Sequence, residues 1–396
     1  MPRVASVGTV AAAAALSVGA ALALAATALA APPPTAPAGP TPSAAASAGA
    51  AAVARPAAVP RAVAAEAARR GLSVRVFASG TATMSQPDDV AAYGADVLIG
   101  WQNRVGADGT PGPGGVTRST LTEQSSSGAV RRSWSLVGHI DGLAADPGTG
   151  RILATVNEDA HSSLYVIRPN AAPTAQVRHY RYNLPDTPQG GTDAVSIYHG
   201  QILITGSNPV IAAGKIGGTA PAVYKATLTD DTAVLAPVFF DNSPAAIANL
   251  NDPKHGATVP LALTDPDSNA VVPAASPRFA GDFMLDSQAD SQQVYVAGAT
   301  SNRPRLSLLK LSQRVNDTAW VTNRRGTLYV TDNADNEVFT VRGGFTAGAA
   351  YTAVTPRSTD PTQPNPPNYL GSLNMNTGTI TPAITTIQAE GLLFTP

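Results

Sequence analysis

Four segments of the chain repeat one phrase: an acid, a short apolar run, a turn, and a second apolar run. Asp141 opens DGLAADPGTGRILATVNEDAHSSLYVI, Asp193 opens DAVSIYHGQILITGSNP, Asp282 opens DFMLDSQADSQQVYVAGATSNRPRLSLLKL, and Asp317 falls at the start of NDTAWVTNRRGTLYVTDNADNEVFTV. The turns DPGTG, YHG, SQADSQ and NRRG occupy equivalent places. From Leu72 onward nearly every apolar run is about four to eight residues long and bounded by Gly, Asn, Asp or Pro, which is strand grammar without helical periodicity. One small sheet cannot bury both of its faces. Periodic four-stranded units therefore predict an all-β fold, a β-propeller, in which each unit covers the next.

The two ends of the chain fit a closed ring. QAEGLLFTP at the C-terminus is a first-strand phrase with its acid, Glu390, and no second strand follows it. ADVLIGWQNRVG near the start is a second-strand phrase with no first strand recognised before it. Joining them completes a blade from both ends and removes an open sheet edge. The predicted blades are Ala95 to Val137 with Glu390 to Pro396, Ile140 to Asn183, Thr192 to Asp241, Gly281 to Ser312, Asn316 to about Gly343, and about Gly344 to Thr386. Six is the expected number, with five or seven as alternatives. Residues 242–280 are too long for a connection; they hold part of a seventh blade or a loop over one mouth. Leu72 to Ala78 alternates and is a candidate outer strand.

The phrase NDTAWVTNRRGTLYVTDNADNEVFTV resembles the repeat of NHL, YVTN and gluconolactonase-like propellers, and DGLAADPGTGRILATV and EGLLFTP look like weaker copies. The whole chain is similar to secreted propellers of high-GC actinobacteria. The resemblance implies a propeller without implying one function, because such folds host lactonases, lyases, signalling modules and scaffolds.

The first 30 residues place Arg3 before an Ala/Leu/Val run ending on Ala28-Leu29-Ala30, the pattern of a cleaved secretory signal. An uncleaved membrane anchor is the alternative. Residues 31–70 are Pro- and Ala-rich and are expected to be a disordered linker, with a helical turn over Ala65 to Gly71 as an alternative for its end. The propeller domain is expected over residues 71–396. With 26 Lys+Arg against 27 Asp+Glu and no Cys, the chain has neither the charge of a nucleic-acid binder nor disulfides or thiolate metal sites. An extracellular, monomeric protein is expected, free of the membrane after cleavage. Its partner is expected to be a small polar ligand or an extracellular protein or cell-wall component.

In a propeller the first strand of each blade lines the central channel and the second returns antiparallel. The start of the first strand and the end of the second thus share one mouth. This geometry predicts that Asp141, Asp193, Asp282, Asp317 and Glu390 face that mouth. Trp101-Gln102-Asn103, Asn157-Glu158-Asp159, Ser207-Asn208 and Asp332-Asn333 should edge it. Ionised carboxylates roughly 7 Å apart repel by about 2 kcal/mol at an effective dielectric near 20. A cation, a basic side chain or retained protons must offset that cost. Ca2+ suits an oxygen-only site. The expected metal ligands are Asp141, Asp193, Asp282, Asn316, Asp317 and Glu390, of which Glu390, Asn316 and Asp193 are the nearest counterparts of the ion ligands that the gluconolactonase-like resemblance implies. The same acids have a structural reading, accepting backbone N–H bonds that keep blades in register.

His139 and the run Asp265-Pro266-Asp267-Ser268 are secondary candidates for the mouth. DNADNE at 332–337 reads as a solvated turn rather than a calcium loop. Trp101, Trp134 and Trp320 read as blade packing, with Trp101 also placed to stack on a sugar. The expected function is a secreted binding or scaffold propeller whose acidic mouth holds Ca2+ or a small polar ligand. A metal-dependent lactonase or lyase, with Asp193 or Asp317 as general base, is the alternative, and whether the protein is an enzyme stays open at this point.

Overall fold

The computed structural model describes residues 58–185, 189–360 and 362–396. The expected signal and most of the expected linker lie outside these residues. The linker expectation is corrected at its end: Arg61–Arg69 form helix α1, which buries Val63 and Ala67 against the β domain. Among the described residues no helix is long and apolar enough to cross a membrane.

Strand β1 (Leu72–Ser79) follows α1. Then β2 (Pro87–Tyr93), β3 (Asp96–Trp101), β4 (Arg118–Gln124) and β5 (Val130–Val137) make a first antiparallel sheet in sequential order. A second comprises β6 (Ile140–Asp146), β7 (Arg151–Val156), β8 (Ser163–Ile167) and β9 (Val177–Tyr182). The third comprises β10 (Val195–Tyr198), β11 (Gln201–Thr205), β12 (Pro221–Thr229) and β13 (Thr232–Phe240), with the short helix α2 (Pro209–Ala213) between β11 and β12. Outer strands β9 and β13 also pair with each other, in parallel, over two residue pairs.

Residues 242–280 form neither a seventh blade nor a cover. Strands β14 (Pro244–Ile247) and β15 (Thr258–Pro260) extend the outer edge of the fourth sheet, and β16 (Pro266–Val271) is that sheet's inner strand. The sheet continues outward through β17 (Phe283–Ser287), β18 (Gln292–Ala297) and β19 (Arg305–Lys310). Phe283–Ser287 is thus a second strand, where the sequence reading made it a first. Asp282 at its start consequently stands at the opposite end of the sheet from the other strand-opening acids, because β17 runs antiparallel to β16.

The last two sheets are interleaved along the chain. Strand β20 (Val315–Trp320) does not form a hairpin with β21 (Thr327–Asp332). It pairs with β23 (Ala350–Val354), which continues to β24 (Tyr369–Leu373) and β25 (Ile380–Ile384). Strands β21 and β22 (Glu337–Gly343) belong to the neighbouring sheet, between β26 (Ala389–Thr395) inside and β1 outside. NRRG is a crossover here, and its Gly326 is required by packing: a Cβ there would lie 2.1 Å from the Phe394 ring and 2.3 Å from the Thr395 carbonyl oxygen. The blades predicted over Asn316 to Gly343 and Gly344 to Thr386 are corrected accordingly. So is the closure, because β26 completes a sheet with β21, β22 and β1 rather than with the Trp101 strand, whose own first strand is β2.

Six inner strands contact one another in a circle, β2 to β6, β10, β16, β20, β26 and back to β2. Each interface between adjacent sheets carries its own apolar cluster. Leu98, Leu121 and Ile152 sit between the first and second sheets, Leu153, Ile204 and Leu235 between the second and third, and Leu203, Phe283 and Val294 between the third and fourth. Met284, Tyr295 and Val354 follow between the fourth and fifth, Val330, Phe339 and Leu370 between the fifth and sixth, and Ile99, Trp101 and Tyr329 between the sixth and first. The fold is a β-propeller. Second strands such as Arg151–Val156 and Thr327–Asp332 are buried almost throughout, since a sheet covers each face, and this explains their unbroken apolar runs.

Candidate functional site

Every inner strand opens on an acid: Asp88 and Asp89 in β2, Asp141 in β6, Asp193 just before β10, Asp267 in β16, Asp317 in β20 and Glu390 in β26. In five of the six the ladder is irregular at that point. Register shifts fall between Pro87 and Val90, Ile140 and Gly142, Pro266 and Asn269, Val315 and Thr318, and across Glu390-Gly391 opposite Val330 to Asp332. A bulge takes a residue out of strict alternation and re-aims its side chain. Here it frees each acid from the sheet faces and leaves it lining a common space.

That space is a cavity of about 380 Å3 at the end of the ring where the inner strands begin. The strand-opening acids line it together with Glu158 and Asp159 beyond β7, Asp265, and amides and hydroxyls from Gln102, Ser207, Asn208, Ser268, Gln288 and Asn316. Of its 18 lining residues 10 are carboxylic acids, and Lys, Arg and His are absent. Of the six residues expected to be metal ligands, Asp141, Asp193, Asn316, Asp317 and Glu390 come together here, while Asp282 does not.

The acids are held differently. Asp89 Oδ2 accepts the Leu143 N–H of the next inner strand at 2.6 Å, and Asp317 Oδ2 accepts that of Leu392 at 2.7 Å while its Oδ1 accepts from Thr318 N–H. These bonds tie neighbouring blades, the structural role expected for such acids. The Asn316 and Asn368 amides donate to the two oxygens of Glu390 at 2.9 and 2.8 Å, and Glu158 N–H donates to Asp141. The carboxyl groups of Asp88, Asp159 and Asp267 receive no hydrogen bond among the described residues, although the Asp88 and Asp267 carbonyl oxygens accept from the Thr331 and Thr205 hydroxyls. Asp193 is 4% exposed and its only polar side-chain contact is the carboxyl of Glu158.

Burial raises the pKa of nearly all of these groups. It lifts Asp317 to about 6, and both Glu158 and Glu390 to about 7, with the charge of Asp159 adding to the effect at Glu158. Asp88, Asp89, Asp141, Asp193 and Asp267 are raised by burial first and by neighbouring carboxylates second. Asp88, Asp89 and Asp267 keep some accessible surface. It faces the cavity, so their charges repel across a confined space. His139 lies behind the wall, with Nε2 3.3 Å from Asp141 Oδ1 and Nδ1 on the Val105 carbonyl oxygen, and burial lowers its pKa.

Among the described residues no group of three or more Asp, Glu, His or Cys side chains converges closely enough to hold a metal ion. The donor set is nevertheless all oxygen, as a hard cation requires. What the mouth offers is a spread negative field rather than a finished coordination sphere. Asp332 caps its own hairpin through Asp335 N–H and reaches Gln388 N–H, so DNADNE is a structural turn. Trp101 is fully buried with Nε1 on the Thr122 hydroxyl, which excludes sugar stacking in this conformation.

No protein-family model and no curated protein matches the chain. Solved structures similar to it include hydrazine synthase of Kuenenia stuttgartiensis (10% identity, 74% of each chain, TM-score 0.37). A gluconolactonase of Xanthomonas campestris (11% identity, 69% of this chain and 89% of that one, TM-score 0.34) is another. A third is the β-propeller domain of Swd1 from Myceliophteria thermophila (9% identity, 79% and 88%, TM-score 0.37). These likenesses are distant, and the fold assignment rests on the sheet topology given above.

Proposed function

We propose that the protein is an exported propeller that binds a positively charged ligand in its acidic mouth, with Ca2+ as the simplest such ligand and without catalysis of its own. One observation carries this reading: 10 carboxylic acids and no basic side chain line a single cavity. A ligand bearing positive charge removes the repulsion and displaces the protons that burial retains. Asp88 and Asp267 supply unengaged carboxyl oxygens for it, the Asp193–Glu158 pair supplies a shared proton that it can displace, and Asp89, Asp317 and Glu390 brace the wall. Export is supported by the N-terminal segment, where Arg3 precedes an Ala/Leu/Val run ending on Ala28-Leu29-Ala30.

A lactonase or lyase reading has one observation in its favour, the Asp193–Glu158 carboxyl contact with Glu158 titrating at about 7, which suits proton transfer near neutral pH. Thermal unfolding of chelated protein over a Ca2+ series at pH 8 tests the main proposal. Binding to the folded state raises the transition by about 2.7 kcal/mol of stability at a hundredfold excess over Kd. An unchanged transition up to millimolar Ca2+ removes Ca2+ as the ligand.

A further inference from the structure

A second cavity, of about 660 Å3, opens between the second and third sheets, beside the short β9–β13 pairing of their outer strands. Tyr182, Pro209, Tyr224, Leu235 and Pro237 give it largely apolar walls. Ser207 and Asn208, just beyond β11, line both this cavity and the acidic mouth. The two spaces are therefore adjoining, one apolar and one carrying a dense negative charge.

Two further observations at the boundary point to a ligand. Asp193, nine-tenths buried, lines the mouth, and its one side-chain partner is the carboxyl of Glu158, with which it shares a hydrogen bond whose proton an ammonium can replace. Ser207 is 7% exposed, and its hydroxyl makes no hydrogen bond among the described residues. An ammonium donor fits between such acceptors. Arg181, on the outer strand β9, also lines the apolar cavity and is exposed. Its charge disfavours a cationic group inside the apolar cavity and favours one among the acids of the mouth.

We infer that the ligand of the acidic mouth is an organic ammonium with an apolar body of aromatic size: the cationic head lies among Asp193, Glu158 and Ser207, and the body occupies the cavity between the second and third sheets. This deepens the cation-binding reading and rests on it. The head replaces protons or a metal ion at the acids, while the body supplies affinity by leaving water. Neither Ca2+ nor a compact ammonium can use the second part.

Calorimetry with phenethylammonium, ethylammonium, phenethyl alcohol and Ca2+ tests the inference on the exported domain at pH 8. Phenethylammonium is expected to bind at least about tenfold more tightly than ethylammonium and than phenethyl alcohol. Asp193→Asn is expected to erase its advantage over the alcohol. Ala212→Trp, a change at an exposed position that lines the apolar cavity, is expected to erase its advantage over ethylammonium and to leave Ca2+ binding unchanged. Equal affinity for the two ammonium ions overturns the inference and leaves the cation-binding mouth standing. Equal affinity for the amine and the alcohol also overturns it, since the apolar cavity is then a separate site. If neither ammonium ion nor Ca2+ binds, the cation-binding mouth falls as well.

Discussion

Two acids at equivalent strand starts can have opposite effects on stability. Asp317 satisfies two backbone N–H groups, so Asp317→Ala leaves them unpaired and is expected to cost about 2 to 3 kcal/mol in chemical denaturation. Asp88 satisfies none and sits among like charges, so Asp88→Asn is expected to stabilise the ligand-free protein by about 1 kcal/mol at pH 8. The pH dependence follows the same logic. Glu158 and Glu390 titrate at about 7 when folded, above their ordinary 4.5. Between those values the folded state holds more protons than the unfolded chain, so stability falls as pH rises through that window. The melting temperature of chelated protein should drop from pH 5 to pH 8, and a rise over that interval would contradict the assignment. Much of this was legible at the residue level: Asp141, Asp193, Asp317 and Glu390 head recognisable phrases. Asp88 and Asp89 were missed, and Asp267 was read as part of a turn and only a secondary candidate, because PDDVAAY and PDSNAV are weakly apolar, although each has the same acid-then-strand order. Which oxygens are already engaged depends on bonds between blades and has no local sequence signal.

At the scale of strands, close approach of inner strands dictates small residues beside the acids. A Cβ on Gly142 would lie 2.6 Å from Ala194 Cα and 2.9 Å from Val195 N, both backbone atoms of the next blade. Gly142→Ala is expected to destabilise by about 2 to 3 kcal/mol. Gly344→Ala, in an exposed loop with open space around it, should stay within about 0.5 kcal/mol in the same denaturant titration. Sequence grammar identified β20, β21 and β22 as strands and erred on their partners. The NRRG stretch carries the same turn residues whether it closes a hairpin or crosses to another sheet. The deciding fact is the packing of Gly326 against Phe394, about 70 residues away along the chain. In the fourth sheet, the strong phrase at Asp282 drew the first-strand assignment away from Pro266–Val271.

For the molecule as a whole, both ends of the described chain meet in one sheet: β26 supplies its inner strand and β1 its outer strand. Ring closure by the termini was readable because QAEGLLFTP has no following strand. Its partner was not, because β2 went unrecognised. Removing residues 389–396 exposes the inner edge of β21, takes Glu390 from the mouth and opens the ring. The truncated protein is expected to lose cooperative unfolding and to aggregate, as judged by circular dichroism and gel filtration. A monomeric product with an unchanged, sharp transition would show that closure contributes little.

Buried carboxyl groups from all six inner strands share one mouth, where positive charge should exchange for their protons. Calorimetric titration with Ca2+ at pH 6.5, repeated in buffers of different ionisation enthalpy, measures that exchange. Binding should release protons, and the release should shrink toward pH 8 as Glu158 and Glu390 ionise unaided. Binding with no proton release at pH 6.5, or no binding at either pH, would show that the acids of the mouth do not trade protons for a cation.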